Sequence, residues 1–157
     1  MVKSGRYMIL VVDDEELVRS LIVNLLSKSG HSSITAVDGV DALGRMKENK
    51  IDAVITDIKM PNMDGVALTI EILKKNPGLP ILVMTAYGEE YSAGAAIAAG
   101  AREYIKKPFT PEEFFAQLGK MIKDAETIKR LRSKKVSDEN VQDLMGKLEE
   151  TLKEDND

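Results

Sequence analysis

Four short apolar runs punctuate the chain: Met8–Val12, Ala53–Ile55, Ile81–Met84 and the pair Tyr104–Ile105, with a weaker fifth at Ser33–Val37. Most are apolar throughout rather than alternating. A strand that alternates buries one face, whereas a continuous apolar run is covered on both faces, the pattern of a parallel sheet. Between the runs the spacing becomes helical. Leu17, Val18, Leu21, Ile22, Leu25 and Leu26 form a stripe that predicts a helix stopping at Gly30. Val40–Met46, Val66–Leu73 and Glu89–Ala99 predict three more. The last of these is rich in alanine, with Ile97 as its one large aliphatic residue, so it is expected to pack least tightly. Thr110-Pro111-Glu112-Glu113 combines a capping residue, a proline at the first helical position and two acids in the first turn, which predicts the start of a fifth helix.

Strand and helix thus alternate five times between about residues 7 and 123. Such alternation with short connections implies right-handed βαβ units and a doubly wound α/β fold with helices on both faces. Ligands of such sheets sit outside the carboxyl ends of the strands, so the residues that follow each strand are the informative ones.

Composition narrows the chemistry available there. Of 157 residues, 43% are hydrophobic and 31% charged, an ordinary globular balance. There is no cysteine, which excludes disulfides, thiolate metal sites and a cysteine nucleophile, and the single histidine, His31, excludes a histidine-rich zinc site. Twenty-two basic against 26 acidic residues give a net charge of −4, which argues against a general nucleic-acid or acidic-membrane binder. No apolar run approaches a membrane span and the N-terminus lacks the apolar stretch of a signal peptide, so the expected location is the cytoplasm.

The first strand is followed by Asp13-Asp14-Glu15-Glu16, the third ends in Thr56-Asp57, the fourth in Thr85-Ala86 and the fifth in Lys106-Lys107-Pro108. Taken singly these are ordinary: helix caps, a turn residue, a strand former, a surface lysine. Taken together they gather at least three carboxylates, a hydroxyl and an ammonium on one edge. Crowded carboxylates raise one another's pKa and cost several kcal/mol unless a cation intervenes. Mg²⁺ does this with one or two carboxylates, and with a lysine and a hydroxyl nearby it suits a phosphoryl group. No GxxxxGK[ST] loop is present and no Ser-His-Asp set, so a carboxylate is the plausible nucleophile, forming an aspartyl phosphate.

Val11-Val12-Asp13-Asp14-Glu15, the stretch from Thr56 to Gly65, Thr85-Ala86 and Lys107-Pro108 together resemble the receiver domain of two-component response regulators, over about residues 6 to 123. The resemblance implies a five-stranded sheet of order 2-1-3-4-5, the flavodoxin-like arrangement. It assigns Asp57 as the phosphoacceptor and Asp13, Asp14 and Asp57 with the backbone carbonyl of Lys59 as the Mg²⁺ ligands. Thr85 and the amide of Ala86 would meet the phosphoryl oxygens and Lys107 would pair with them. Pro108 would follow a cis peptide. Thr85 and Tyr104 would form a switch that repacks the face of the fourth helix, fifth strand and fifth helix. Lys59 and Tyr87 flank the path of an attacking water in this family; they either alter the lifetime of the acyl phosphate or stand at the solvent rim. The implied partners are a sensor histidine kinase or phosphotransfer protein and an unidentified downstream protein.

Residues 1–123 are therefore expected to be the receiver and 124–157 a helical C-terminal extension. Phe114, Phe115, Leu118, Met121 and Ile122 should face a core, and the spacing continues through Ala125, Ile128 and Leu131, an overrun of about two turns. Ser137-Asp138-Glu139 suggests a new helix start, with Val141, Leu144, Met145, Leu148 and Leu152 as its stripe, over about 138–153. Seven basic and ten acidic residues in 124–157 give −3, the wrong charge and too short a length for a DNA-binding domain. The stripe needs cover from the receiver's own surface, another protein or a second copy; a homodimer through this helix or through the fourth helix–fifth strand–fifth helix face is one arrangement. The function expected is a stand-alone phosphorylation switch, not an enzyme on a separate substrate. The rivals are a Mg²⁺-dependent phosphatase with an aspartyl-phosphate intermediate, disfavoured because Lys59 stands where its general acid belongs, and a non-phosphorylated scaffold receiver.

Overall fold

The computed structural model describes residues 6–137, residue 146 and residues 148–152. Five strands, β1 (Met8–Val12), β2 (Ser32–Ala36), β3 (Ala53–Asp57), β4 (Ile81–Thr85) and β5 (Glu103–Lys106), alternate with α1 (Glu16–Lys28), α2 (Gly39–Glu48), α3 (Gly65–Lys75), α4 (Glu90–Ala99) and α5 (Pro111–Ser137). All neighbouring strands are parallel and the order is β2-β1-β3-β4-β5, as expected. The chain forms two compact units, Met1–Ile122 and Lys123–Asp157.

The continuous apolar runs are buried on both faces because side chains alternate along a strand. Leu10, Val12, Val54, Ile81 and Val83 point to one face, where Ala42 of α2, Leu68 and Ile72 of α3, and Ala93 and Ala96 of α4 complete a core. Ile9, Val11, Ile55, Leu82 and Met84 point to the other, against Ile22, Leu25 and Leu26 of α1 and Phe114, Leu118 and Met121 of α5. Helices thus cover both faces, which is what makes the sheet doubly wound.

The helix starts obey local chemistry. Thr110 Oγ1 accepts the amide of Glu113 at 3.1 Å ahead of Pro111, and Asp38 and Asp64 cap α2 and α3 by accepting from Asp41 and Ala67. After α1, Gly30 takes φ +83°, a left-handed conformation that favours glycine, and turns the chain into β2.

Two stripes are narrower than the spacing suggests. Leu17 is 85% exposed and Leu21 is exposed too; α1 buries only Ile22, Leu25 and Leu26, with Val18 at the margin. Phe115 likewise stands partly in solvent while Phe114 is fully buried. A helix beside a sheet contacts it along a strip, and residues flanking that strip keep their apolar character without being covered. The poor packing expected of α4 is seen: its buried side chains are two alanines, Ala93 and Ala96, and Ile97 is exposed. Helix α5 runs to Ser137, further than two extra turns, with Leu131 exposed; the helix start expected at Asp138-Glu139 lies outside the described residues. Of the stripe expected over 138–153, Leu148 and Leu152 are helical and exposed, whereas Val141, Leu144 and Met145 lie outside the described residues. Among the described residues no helix is long and apolar enough to cross a membrane.

Candidate functional site

Register brings the strand ends level. Val12 pairs with Thr56, Asp57 with Met84 and Thr85 with Lys106, so the residues that follow β1, β3, β4 and β5 converge on one edge. Asp13, Asp14 and Asp57 each offer a carboxylate oxygen there, all within 4.8 Å of one another. Asp13 is fully buried, Asp57 is buried and Asp14 faces solvent. Lys107 reaches in from the opposite side of the sheet's midline, with Nζ 3.0 Å from Asp13 Oδ2 and 3.3 Å from Asp57 Oδ1. The Lys107–Pro108 peptide is cis.

The backbone holds these groups from behind. The amide of Glu15 donates to Asp13 Oδ1 at 2.9 Å, and Arg19 Nη1 donates to the Asp13 carbonyl at 2.7 Å. The amide of Ile58 donates to Asp57 Oδ1 at 2.9 Å. The loop that follows folds back so tightly that the Gly65 amide donates to the Ile58 carbonyl at 2.7 Å. A Cβ on Gly65 would run into the backbone carbonyl oxygen of Asp57, so the glycine is what lets α3 start directly against the Asp57 backbone. Asn62, at φ +68°, donates from Nδ2 to Asp38 Oδ2 at 2.7 Å and ties the same loop to the start of α2.

Electrostatics follow from this packing. Burial pushes the Asp57 carboxyl up from its ordinary 3.8 to about 6; Lys107 pulls it down and Asp13 pushes it back up. Burial alone would lower the pKa of Lys107, but its hydrogen bond to Asp13 and the charges of Asp57 and Asp13 outweigh burial and hold the ammonium above its ordinary value. Three carboxylates against one ammonium leave the rim net negative when all are ionised. Every donor is an oxygen, a hard ligand set, and Mg²⁺ binds through one or two carboxylates while keeping several waters. The residues present fit that ion.

The remaining sequence-selected residues divide in two. Thr85 is buried at the same edge, its Oγ1 donating to the Ile105 carbonyl at a long 3.5 Å. Tyr104 is 45% exposed and lines, with Thr85, Ile97 and Ala93, a cleft of about 350 Å³ beside α4. Lys59 and Tyr87 carry side chains that stand in solvent, Tyr87 at 98% exposure. Sequence reasoning missed Glu89. It is buried, and its Oε1 accepts the amide of Ala86 at 2.6 Å. Its position just ahead of a helix gives it the look of an ordinary helix start, which hides the contact.

Fold and rim together define a flavodoxin-like α/β protein with an acidic pocket at the carboxyl ends of its strands. The chain belongs to the response regulator receiver domain family, whose model matches residues 9–119. Phosphorylation and Mg²⁺ binding at an acidic pocket are general to that family. PhoP of Bacillus subtilis, an alkaline phosphatase synthesis transcriptional regulatory protein, is 36% identical over 118 residues, which is 75% of this chain and 49% of that protein. The response regulator MprA of a Mycobacterium species is 39% identical over 115 residues, 73% of this chain and 50% of that protein. The chain thus spans about half the length of the curated relatives it matches. Among solved structures, NtrX from Brucella abortus superposes with TM-score 0.78 at 32% identity, covering 82% of this chain and 29% of that one. The chemotaxis protein CheY4 of Vibrio cholerae gives TM-score 0.69 at 28% identity, covering 74% of this chain and 98% of that one.

Proposed function

We propose that this chain is a phosphorylation-controlled switch whose Asp57 accepts a phosphoryl group from the phosphohistidine of a sensor histidine kinase or phosphotransfer protein. The observation that carries this reading is the meeting of Asp13, Asp14 and Asp57 within 4.8 Å under the single ammonium of Lys107. An Asp57 oxygen attacks phosphorus as the bond from phosphorus to the donor nitrogen breaks, and the electron pair leaves with the imidazole. Burial raises the Asp57 carboxyl only to about 6, so at neutral pH it is mostly the anion that this attack requires. Asp13, Asp14, Asp57 and the backbone carbonyl of Lys59 would hold Mg²⁺. The ion, when bound, neutralises the carboxylates and the phosphoryl oxygens that would otherwise repel each other.

Lys107 already lies beside Asp57 Oδ1 and is placed to pair with a phosphoryl oxygen, while Thr85 Oγ1 and the Ala86 amide supply hydrogen bonds. The phosphorylated group carries about −2 charge and three acceptor oxygens. Thr85 gives up only a long contact with Ile105 to reach it, and the cleft that Tyr104 lines lies directly behind. Inward movement of Thr85 and of the Tyr104 ring repacks α4, β5 and the start of α5, the face that meets a downstream protein. Residues 1–123 act as the receiver and 124–157 as a helical extension. The chain catalyses its own phosphorylation and hydrolysis only; Lys59, a lysine, stands where an aspartyl-phosphate phosphatase would need a general acid.

Intact-mass measurement after incubation with acetyl phosphate tests this. One phosphoryl group per chain in the presence of Mg²⁺, and none in Asp57→Asn, is expected. No adduct, or continuous turnover of phosphate esters, would overturn the reading.

A further inference from the structure

The two groups that the proposed function turns toward the phosphoryl oxygens are not equally free. Thr85 Oγ1 is held by one 3.5 Å contact, at the limit of what counts as a hydrogen bond. The Ala86 amide is held by the carboxylate of Glu89 at 2.6 Å. Hydrogen bonds to an ionised acceptor are shorter and roughly twice as strong as neutral ones. Glu89 is buried and Ala86 exposed, so water screens this contact only from the amide's side.

The geometry is built by the turn between β4 and α4. Gly88 takes φ +87°, a left-handed conformation, and the Glu89 amide donates back to the Ala86 carbonyl at 3.2 Å. This curl points the Glu89 carboxylate at the amide three residues earlier. Glu89 is at the same time the residue that leads into α4, with the Ala93 amide donating to its carbonyl at 2.9 Å. One N–H cannot serve two anions, and a phosphoryl oxygen and a carboxylate repel each other at that distance.

Resting on the phosphoacceptor reading above, we propose that Glu89 is a positioning residue that occupies the Ala86 amide in the unphosphorylated protein and is expelled by the phosphoryl group. Its carboxylate then sets the apparent affinity of the site for a phosphoryl anion. Its departure carries the event into the first turn of α4, the helix whose buried side chains are two alanines and which can therefore move at small cost. The hold on the resting state lies in Glu89 more than in Thr85.

The test is a titration with beryllofluoride, a phosphoryl mimic, in the presence of Mg²⁺, on the wild type, Glu89→Ala and Glu89→Gln. Freeing the amide should tighten apparent affinity by about tenfold or more in Glu89→Ala. Glu89→Gln, which still offers an oxygen to the amide but no charge, should fall between. In metal-free protein the Ala86 amide resonance should shift in Glu89→Ala, and with Mg²⁺ present the wild-type resonance should leave its starting position on beryllofluoride addition. If Glu89 were only a cap for α4, Glu89→Ala would lose thermal stability without gaining affinity and Glu89→Gln would bind as the wild type does; that result overturns the proposal and leaves the phosphoacceptor reading standing. Failure of all three proteins to bind beryllofluoride, together with no acetyl phosphate adduct, would overturn the phosphoacceptor reading and this proposal with it.

Discussion

The ammonium of Lys107 lies 3.0 Å from Asp13 Oδ2, joining two residues 94 positions apart in the chain. Asp13 is fully buried, so this contact is what makes its charge tolerable inside the protein. Removing one member of a buried ion pair leaves the other uncompensated and costs about 3–5 kcal/mol. Lys107→Met should therefore lower unfolding stability by about 3 kcal/mol in chelator at neutral pH, and added Mg²⁺ should recover much of the loss. Urea unfolding of the variant with and without Mg²⁺ checks both halves; a variant as stable as wild type in chelator would show that Lys107 is not needed to hold the acidic edge.

Asp57 gives the metal-free protein a distinctive pH dependence. Its carboxyl is raised from 3.8 to about 6 in the folded chain, chiefly by burial. Between those values the folded state holds a proton that the unfolded state has lost, so stability from this group falls as pH rises through the window and levels off above about 6. Asp57→Asn keeps an oxygen for the Ile58 amide and abolishes the titration. It should be more stable than wild type above that window, by up to about 3 kcal/mol, and no more stable at pH near the lower end. Denaturation of both proteins in chelator across that range measures the difference.

Much of this was legible in the chain because the signals are local and mutually consistent. The uninterrupted Ile81–Met84 run required cover on both faces, and both cores are there. Thr110-Pro111 marked the start of α5, and Thr110 does cap it. Asp13, Asp57, Thr85 and Lys107 were placed by a single rule, that parallel strands share one carboxyl edge. What was illegible depends on tertiary contact. Nothing in the spacing of Leu17 and Leu21 tells how wide a strip of α1 the sheet will cover, and they stand exposed. Nothing in the letters Tyr87-Gly88-Glu89 tells that a left-handed glycine will turn the carboxylate back onto Ala86. That the Lys107 ammonium touches both Asp13 and Asp57 likewise appears only when distances are known.

Gly65 is the tightest point behind the site. Any side chain there meets the backbone oxygen of Asp57 rather than the end of a flexible side chain, so relief requires the β3–α3 loop to move. Gly65→Ala should cost about 1–3 kcal/mol or more, and it should slow labelling by acetyl phosphate beyond what the lost stability explains, since the displaced oxygen belongs to the reacting residue. Thermal melts and labelling rates at a temperature where both proteins are fully folded separate the two effects.

Thr85 lines the cleft beside Tyr104, and in the proposed switch it is the residue that couples this cleft to a phosphoryl group on Asp57. In Thr85→Ala the phosphoryl group has no hydroxyl to draw inward, so amide exchange over residues 85–110 should differ little between phosphorylated and unphosphorylated protein, whereas wild type should show a clear difference. Exchange differences as large in the variant as in wild type would show that the coupling runs elsewhere.

Asp57 is the group proposed to carry the phosphoryl. Borohydride reduces an aspartyl phosphate to homoserine, which marks the position in the peptide map. After treatment with acetyl phosphate and Mg²⁺, homoserine should be found at position 57 alone and should be absent when Mg²⁺ is chelated. Homoserine at another aspartate, or equal labelling of position 57 with the metal removed, would contradict the proposed magnesium-assisted phosphoacceptor site.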